Sequence, residues 1–240
     1  MTARDTILAS IRASLGVTGH EAPRLKEVED RLAGHPAGVV PARGHRPPAE
    51  RAALFGAMLE AAAGTLDRVA SLDDVPAAVG AFLRRHNLPL AVRRGGDSLL
   101  AAVPWQNEPA LDVSQGPSDG RQLASVSHAF GAVAETGTLV LTAGPDNPTT
   151  LNFLPDNHIV VLDARDIAGD METVLARLRE RFGASLPRVV NFITGPSRSA
   201  DIEQTLILGA HGPRRLHVVV VGEAGTGPGG GALPSERVTS

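Results

Sequence analysis

Two stretches of this chain gather the residue types that bind or transform a small polar ligand. The first is Ala134-Glu135-Thr136-Gly137-Thr138, set between two short apolar runs. A glycine flanked by two threonines at a strand end lets the backbone approach a ligand closely. It also offers N–H and hydroxyl donors, a combination suited to a phosphate or carboxylate. Glu135 beside it has the chemistry of a general base, a nucleophile or a ribose-type hydrogen-bond acceptor. The same five residues also suit a tight hairpin turn, with Gly137 supplying a positive φ and the threonines satisfying the turn.

The second stretch is Thr194-Gly195-Pro196-Ser197-Arg198-Ser199-Ala200-Asp201-Ile202-Glu203, directly after the apolar run Val189 to Ile193. It holds hydroxyls, a cation able to fork a carboxylate or phosphate, and two carboxylates. If Val189 to Ile193 is a strand of a parallel sheet, this loop lies beyond its carboxyl end, where ligands of such sheets bind. The competing reading is an ordinary helix entry, with Ser199 as cap and Asp201 and Glu203 at the positive helix end. A serine nucleophile is disfavoured, because the segment lacks the second glycine of a nucleophile elbow. Gly144 to Thr150 and Leu208 to Arg215 are further polar, Gly- and Pro-bearing loops of no specific signature. The eight histidines are scattered, and His211 and His217 are six apart with no cysteine or clustered carboxylate to complete a metal shell, so no metal site is expected.

These loops need a scaffold, and 240 residues with 42 % apolar and 20 % charged residues are enough for one full core plus an accessory segment. Aromatics make up only 3 %, so the core must be built from Ala, Val, Leu and Ile. There is no cysteine, which excludes disulfides, Cys-ligated zinc, thiol nucleophiles and iron–sulfur ligation by this chain. A net charge of −3 gives no general field for nucleic acid or an anionic membrane. Lys26 is the one lysine, and the abundance of Arg reads as compositional bias rather than as a phosphate-binding face. No apolar run reaches signal-peptide or membrane-spanning length, so a soluble cytoplasmic protein is expected.

Ile7, Leu8, Ile11 and Leu15 sit at helical spacing with Gly16 as a stop, and His20 to Pro48 reads as an extended connector. Helices follow from Ala49 to Ala63 and around Val75, Val79, Phe82 and Leu83, with a short strand at Asp67 to Ala70 between them. Further strands are expected at Leu88 to Val92, Ala129 to Val133, Leu139 to Thr142, Ile159 to Leu162, Val189 to Ile193 and Leu216 to Val221. Ile159 to Leu162 and Val218 to Val221 are unbroken apolar runs, the mark of strands covered on both faces. Met171, Val174, Leu175, Leu178 and Phe182 form a helical stripe after the first of these, ahead of Val189 to Ile193, the pattern of a βαβ crossover. The expectation is an α/β fold with a parallel-rich sheet flanked by helices. Its divisions are an N-terminal helix and connector at 1–48, an α/β domain at 49–222 and a flexible Gly/Pro-rich tail at 223–240.

Ala134-Glu135-Thr136-Gly137-Thr138-Leu139 and Gly195 to Glu203, followed by Leu208-Gly209-Ala210-His211-Gly212-Pro213, together resemble the LUD domain family, most strongly from about Ser125 to Gly222. The resemblance implies a fold similar to the ribose-5-phosphate isomerase, glucosamine-6-phosphate deaminase and CoA transferase group. It also implies a part in the oxidation of L-lactate to pyruvate, beside partner proteins that carry iron–sulfur and cysteine-rich redox modules. No cofactor is then expected on this cysteine-free chain, and the clusters fall to the partners. Thr136, Gly137, Thr138, Gly195, Ser197, Arg198 and Asp201 are the candidate site for a small anion or nucleotide, with Glu135 the candidate catalytic group. The alternative is a stand-alone transferase or isomerase-like enzyme in which Glu135 acts on a CoA ester or sugar phosphate, as glutamate does in the CoA transferases of that fold group.

Overall fold

A computed structural model describes residues 2–183, 185–200, 206–208 and 211–222. The chain divides into two units, Met1–Val39 and Val40–Ser240. The first carries helices α1 (Ala3–Leu15) and α2 (Ala22–Gly34). Helix α1 opens on a reciprocal cap between Thr2 and Asp5 and stops at Gly16, whose φ is +63°. Helix α2 corrects the expectation of an extended connector. Its apolar positions, Leu25, Val28 and Leu32, are at helical spacing but exposed, a short pattern set between Pro- and Gly-rich flanks. The ion pairs Lys26–Asp30 (3.1 Å) and Glu27–Arg31 (2.9 Å), each four residues apart, support it instead.

The second unit runs α3 (Pro48–Ala61), β1 (Thr65–Val69), α4 (Val75–Arg85), β2 (Ala91–Arg94), α5 (Ser98–Ala102), β3 (Asp112–Gln115) and β4 (Ala124–His128). It continues through β5 (Gly131–Val133), β6 (Thr138–Thr142), α6 (Thr150–Phe153), β7 (Asn157–Asp163), β8 (Ile167–Ala168) and α7 (Met171–Phe182). The last elements are β9 (Val190–Ile193), β10 (Arg198–Ala200), β11 (Leu206–Leu208) and β12 (Arg215–Val221).

Six strands form an all-parallel sheet in the order β1-β12-β7-β4-β2-β3. Its central strands β7 and β12 contain the two unbroken apolar runs, and their alternation explains why both faces are apolar. Ile159, Val161 and Val219 enter a core with Val79, Phe82 and Leu83 of α4 and Leu100 of α5. Val160, Leu162, Val218 and Val220 enter a second core with Phe55 and Leu59 of α3. That second core is closed by a separate four-stranded sheet, order β8-β5-β6-β9, which contributes Ala132, Leu139 and Leu141. The far face of the smaller sheet buries Val133 and Val140 against Val174 and Leu178 of α7.

The expected crossover through α7 into a parallel strand is therefore corrected. Strand β9 leaves the large sheet and pairs antiparallel with β6, Leu139 opposite Ile193. A short apolar run does not say which neighbour it will hydrogen-bond, and β9 is a partly covered edge strand rather than a fully buried one. The loop after β9 consequently does not lie at the carboxyl end of the parallel sheet. Its continuation enters β10, antiparallel to β11, rather than a helix. Among the described residues no helix is long and apolar enough to cross a membrane. The expected tail at 223–240 lies outside the described residues.

Candidate functional site

Pairing of β6 with β9 brings the two sequence stretches together. Thr138, at the start of β6, lies beside Thr194 at the end of β9, their hydroxyl oxygens 2.6 Å apart, and the Thr136 hydroxyl is 2.7 Å from that of Thr138. The glycines of both stretches serve the same helix. Gly137 has φ +67°, and a Cβ there would stand 2.5 Å from the Leu59 backbone nitrogen. Gly195 has φ +73°, and a Cβ there would collide with the Ala62 carbonyl oxygen. Both turns are thus pressed onto the C-terminal end of α3, which requires glycine for space as well as for conformation.

Glu135 is buried in the turn between β5 and β6. Its Oε1 accepts a hydrogen bond from the Met171 backbone N–H at the start of α7 (3.2 Å), where a carboxylate is favoured by the helix dipole. Its Oε2 has no hydrogen-bond partner among the described residues, and the nearest cation is Arg43, with Nε 3.9 Å away. The carboxylate faces α7 and the Arg43–Gly44 segment and does not line the cleft formed by the second stretch.

That cleft, about 310 Å³, opens beside the amino ends of β7 and β12. Thr194, Gly195, Ser197 and the exposed Arg198 and His211 are among the residues that line it, with Phe153, Phe192, Ile193 and Leu216. Ser197 is fixed by donating its backbone N–H to the Pro213 carbonyl (2.9 Å). At the bottom lie two fully covered polar side chains, Asn152 of α6 and His158 of β7. They are joined through Ser127 of β4: the Ser127 hydroxyl donates to Asn152 Oδ1 (3.0 Å), and His158 Nε2 is 3.0 Å from Ser127 Oγ. Burial holds the His158 imidazole down to about 3, so the ring is neutral near pH 7. Its Nδ1 is buried and has no partner among the described residues.

Asn152, Ser127 and His158 carry no motif, and a lone polar residue inside an apolar strand reads as a surface position. The available signal was His158 directly preceding the apolar run of β7, at a position that had to be covered. Of the expected ligand residues, Gly195, Ser197 and Arg198 line the cleft, Thr136 and Thr138 connect to it through Thr194, and Asp201 lies outside the described residues. His217 is buried, stacks on Phe82 with ring centroids 4.5 Å apart and has Nδ1 2.8 Å from the Thr65 hydroxyl, a structural arrangement.

The carboxyl edge of the parallel sheet carries a different group. Between β2 and β4 the direction of winding reverses, and there Asp97 caps α5 by accepting from the Leu99 and Leu100 N–H groups, with His128 Nδ1 3.2 Å away. Burial pushes the Asp97 carboxyl up. The His128 contact and the two N–H groups outweigh it and leave the group below its ordinary value. Gly95 and Gly96 at this edge are packed against Asp146 and Gln115. Among the described residues no cluster of His, Asp or Glu is arranged to hold a metal ion.

A doubly covered parallel sheet packed on a second, smaller sheet defines an α/β protein. The sequence profile of the LUD domain matches residues 121–221. Lactate utilization protein C of an Exiguobacterium species is 38 % identical over 161 residues, covering 63 % of this chain and 68 % of that protein. The chain belongs to the LUD domain family. Lactate utilization protein C of Geobacillus thermodenitrificans is 38 % identical over 107 residues, 43 % of this chain and 45 % of that protein. An uncharacterized protein of Neisseria meningitidis is 32 % identical over 154 residues, 60 % of this chain and 64 % of that protein. In several of these curated relatives the match spans about half of their length. The crystal structure of a DUF162 family protein from Deinococcus radiodurans superposes with a TM-score of 0.53 at 24 % identity, covering 74 % of this chain and 99 % of that one, which supports the fold.

Proposed function

We propose that this protein is a component of an L-lactate utilization system, in which it binds a small carboxylate and acts with iron–sulfur, cysteine-rich partner proteins that oxidise lactate to pyruvate. The carrying observation is the cleft in which Ser197 and Arg198 stand over the buried Asn152–Ser127–His158 chain. An exposed guanidinium and a hydroxyl at the cleft suit a ligand with an anionic end. The volume, about 310 Å³, is at the small end for ligand sites and favours a small carboxylate over a nucleotide. The names of the relatives supply the pathway, and the absence of cysteine from the chain supplies the need for partners.

The transferase or isomerase-like reading requires Glu135 to meet a ligand. Its bond to the start of α7 gives that carboxylate a structural task instead. Calorimetric titration of the purified chain with L-lactate tests the binding reading, and affinity purification from lactate-grown cells tests for iron–sulfur partners. Turnover of an acyl-CoA or sugar phosphate by the chain alone would overturn it in favour of the enzyme.

A further inference from the structure

Strand β9 is the outer strand of the smaller sheet, and among the described residues nothing pairs with its second edge. The hydrogen bond from the Ala143 N–H to the Val189 carbonyl fixes which backbone groups point where. Residues opposite each other in an antiparallel pair alternate between bonded and non-bonded positions. Counting from Ala143 and Val189, the backbone groups of Asn191 and Ile193 therefore point into the sheet, toward Leu141 and Leu139. Those of Val190 and Phe192 point away from it. Open edges of this kind are often guarded by a charged side chain or a proline. The strand Val190-Asn191-Phe192-Ile193 contains neither, and Phe192 is 44 % exposed beside Val189 at 39 %.

We infer that β9 pairs antiparallel with β9 of a second copy of this chain, about a two-fold axis at Asn191, joining two four-stranded sheets into one of eight. The register selects a second copy as the occupant of the edge. An axis at Asn191 sets Val190 opposite Phe192 of the second copy and Phe192 opposite its Val190. The residues whose backbone groups point outward are thus the ones that meet as hydrogen-bonded pairs. Each pair also sets an exposed aromatic against a β-branched side chain, a stabilising cross-strand combination. The charge closest to the strand in sequence, on Arg188, falls opposite Thr194 of the second copy rather than opposite another arginine, so no like charges meet. The pairing thereby carries Arg188 of one copy to the residue from which the cleft loop of the other begins.

The chain has no cysteine, so a single introduced thiol reports the register directly. Asn191 and its symmetry mate form a non-hydrogen-bonded pair, with Cα atoms about 4.5 Å apart and within reach of a disulfide. Asn191→Cys, treated with oxidised glutathione, is expected to give a covalent dimer on a non-reducing gel. Val189→Cys, opposite Ile193 of the second copy, is expected to give none. The wild-type chain should sediment at twice the mass of one copy. Phe192→Lys places a charge on the paired edge and should weaken the dimer at least about tenfold, with an unchanged circular dichroism spectrum. Should Asn191→Cys not fold, sedimentation of the wild type and of Phe192→Lys decides. A monomeric wild type would overturn the inference, and so would a dimer that Phe192→Lys leaves intact, because it must then use another surface. Equal cross-linking of the two thiols would overturn the register and the inference with it. A monomer whose β9 binds a strand of a different protein would assign the edge to that partner instead.

Discussion

A neutral, fully buried His158 makes a quantitative demand on how stability depends on pH. In the folded protein burial holds the imidazole at about 3, against an ordinary value of 6.5. The unfolded chain therefore takes up a proton below pH 6.5 that the folded chain refuses until about pH 3. Stability is complete above 6.5 and falls by about 1.4 kcal/mol for each pH unit below it. At pH 5 the loss from this residue is about 2 kcal/mol, a sizeable part of the stability of an ordinary domain. His217, held down to about 4 by burial in spite of the nearby Asp67, loses stability in the same direction. A variant isolates the contribution of His158. His158→Gln keeps a polar side chain able to hydrogen-bond Ser127 and removes the titrating ring. Urea unfolding at pH 7.5 and 5.0, followed by circular dichroism and Trp105 fluorescence, should show the wild type losing about 2 kcal/mol more than the variant over that interval. Parallel losses in the two proteins would refute a neutral buried imidazole.

Gly137→Ala imposes a side chain at φ +67° against the backbone of Leu59, and is expected to cost more than about 1 kcal/mol, seen as a thermal midpoint lower by at least about 2 °C. Glu135→Ala removes the carboxylate at the start of α7 and should cost about 1 kcal/mol in urea unfolding while leaving L-lactate affinity unchanged; a selective loss of ligand affinity would restore Glu135 to the site. Arg198→Ala should raise the Kd for L-lactate about tenfold by calorimetry, more at low salt than at high, and an unchanged Kd would remove Arg198 from the site.

Much of the scaffold was legible in the order of residues. The unbroken runs in β7 and β12 required strands covered on both faces, and the structure covers one face with α4 and α5 and the other with α3 and the smaller sheet. Thr136-Gly137-Thr138 suited a tight turn with a positive φ, one of its two readings, and the structure has Gly137 at φ +67°, while the two LUD stretches pointed to the family. These features are local, or depend only on the period of apolar residues, so a linear sequence contains them. The partner of β9 and the makeup of the cleft bottom are not local. Ser127 and His158 are 31 residues apart and meet because β4 pairs with β7 in a register that sets Ser125 opposite His158, placing Ser127 diagonally beside the ring on the same face. Asn152 joins them only when α6 packs across that face, where the Ser125 hydroxyl donates to the Leu151 carbonyl. Polar residues along a strand look alike in sequence whether they face water or a core. Strand register and burial choose between these, and here they turned three unremarkable side chains into a connected, buried hydrogen-bond chain.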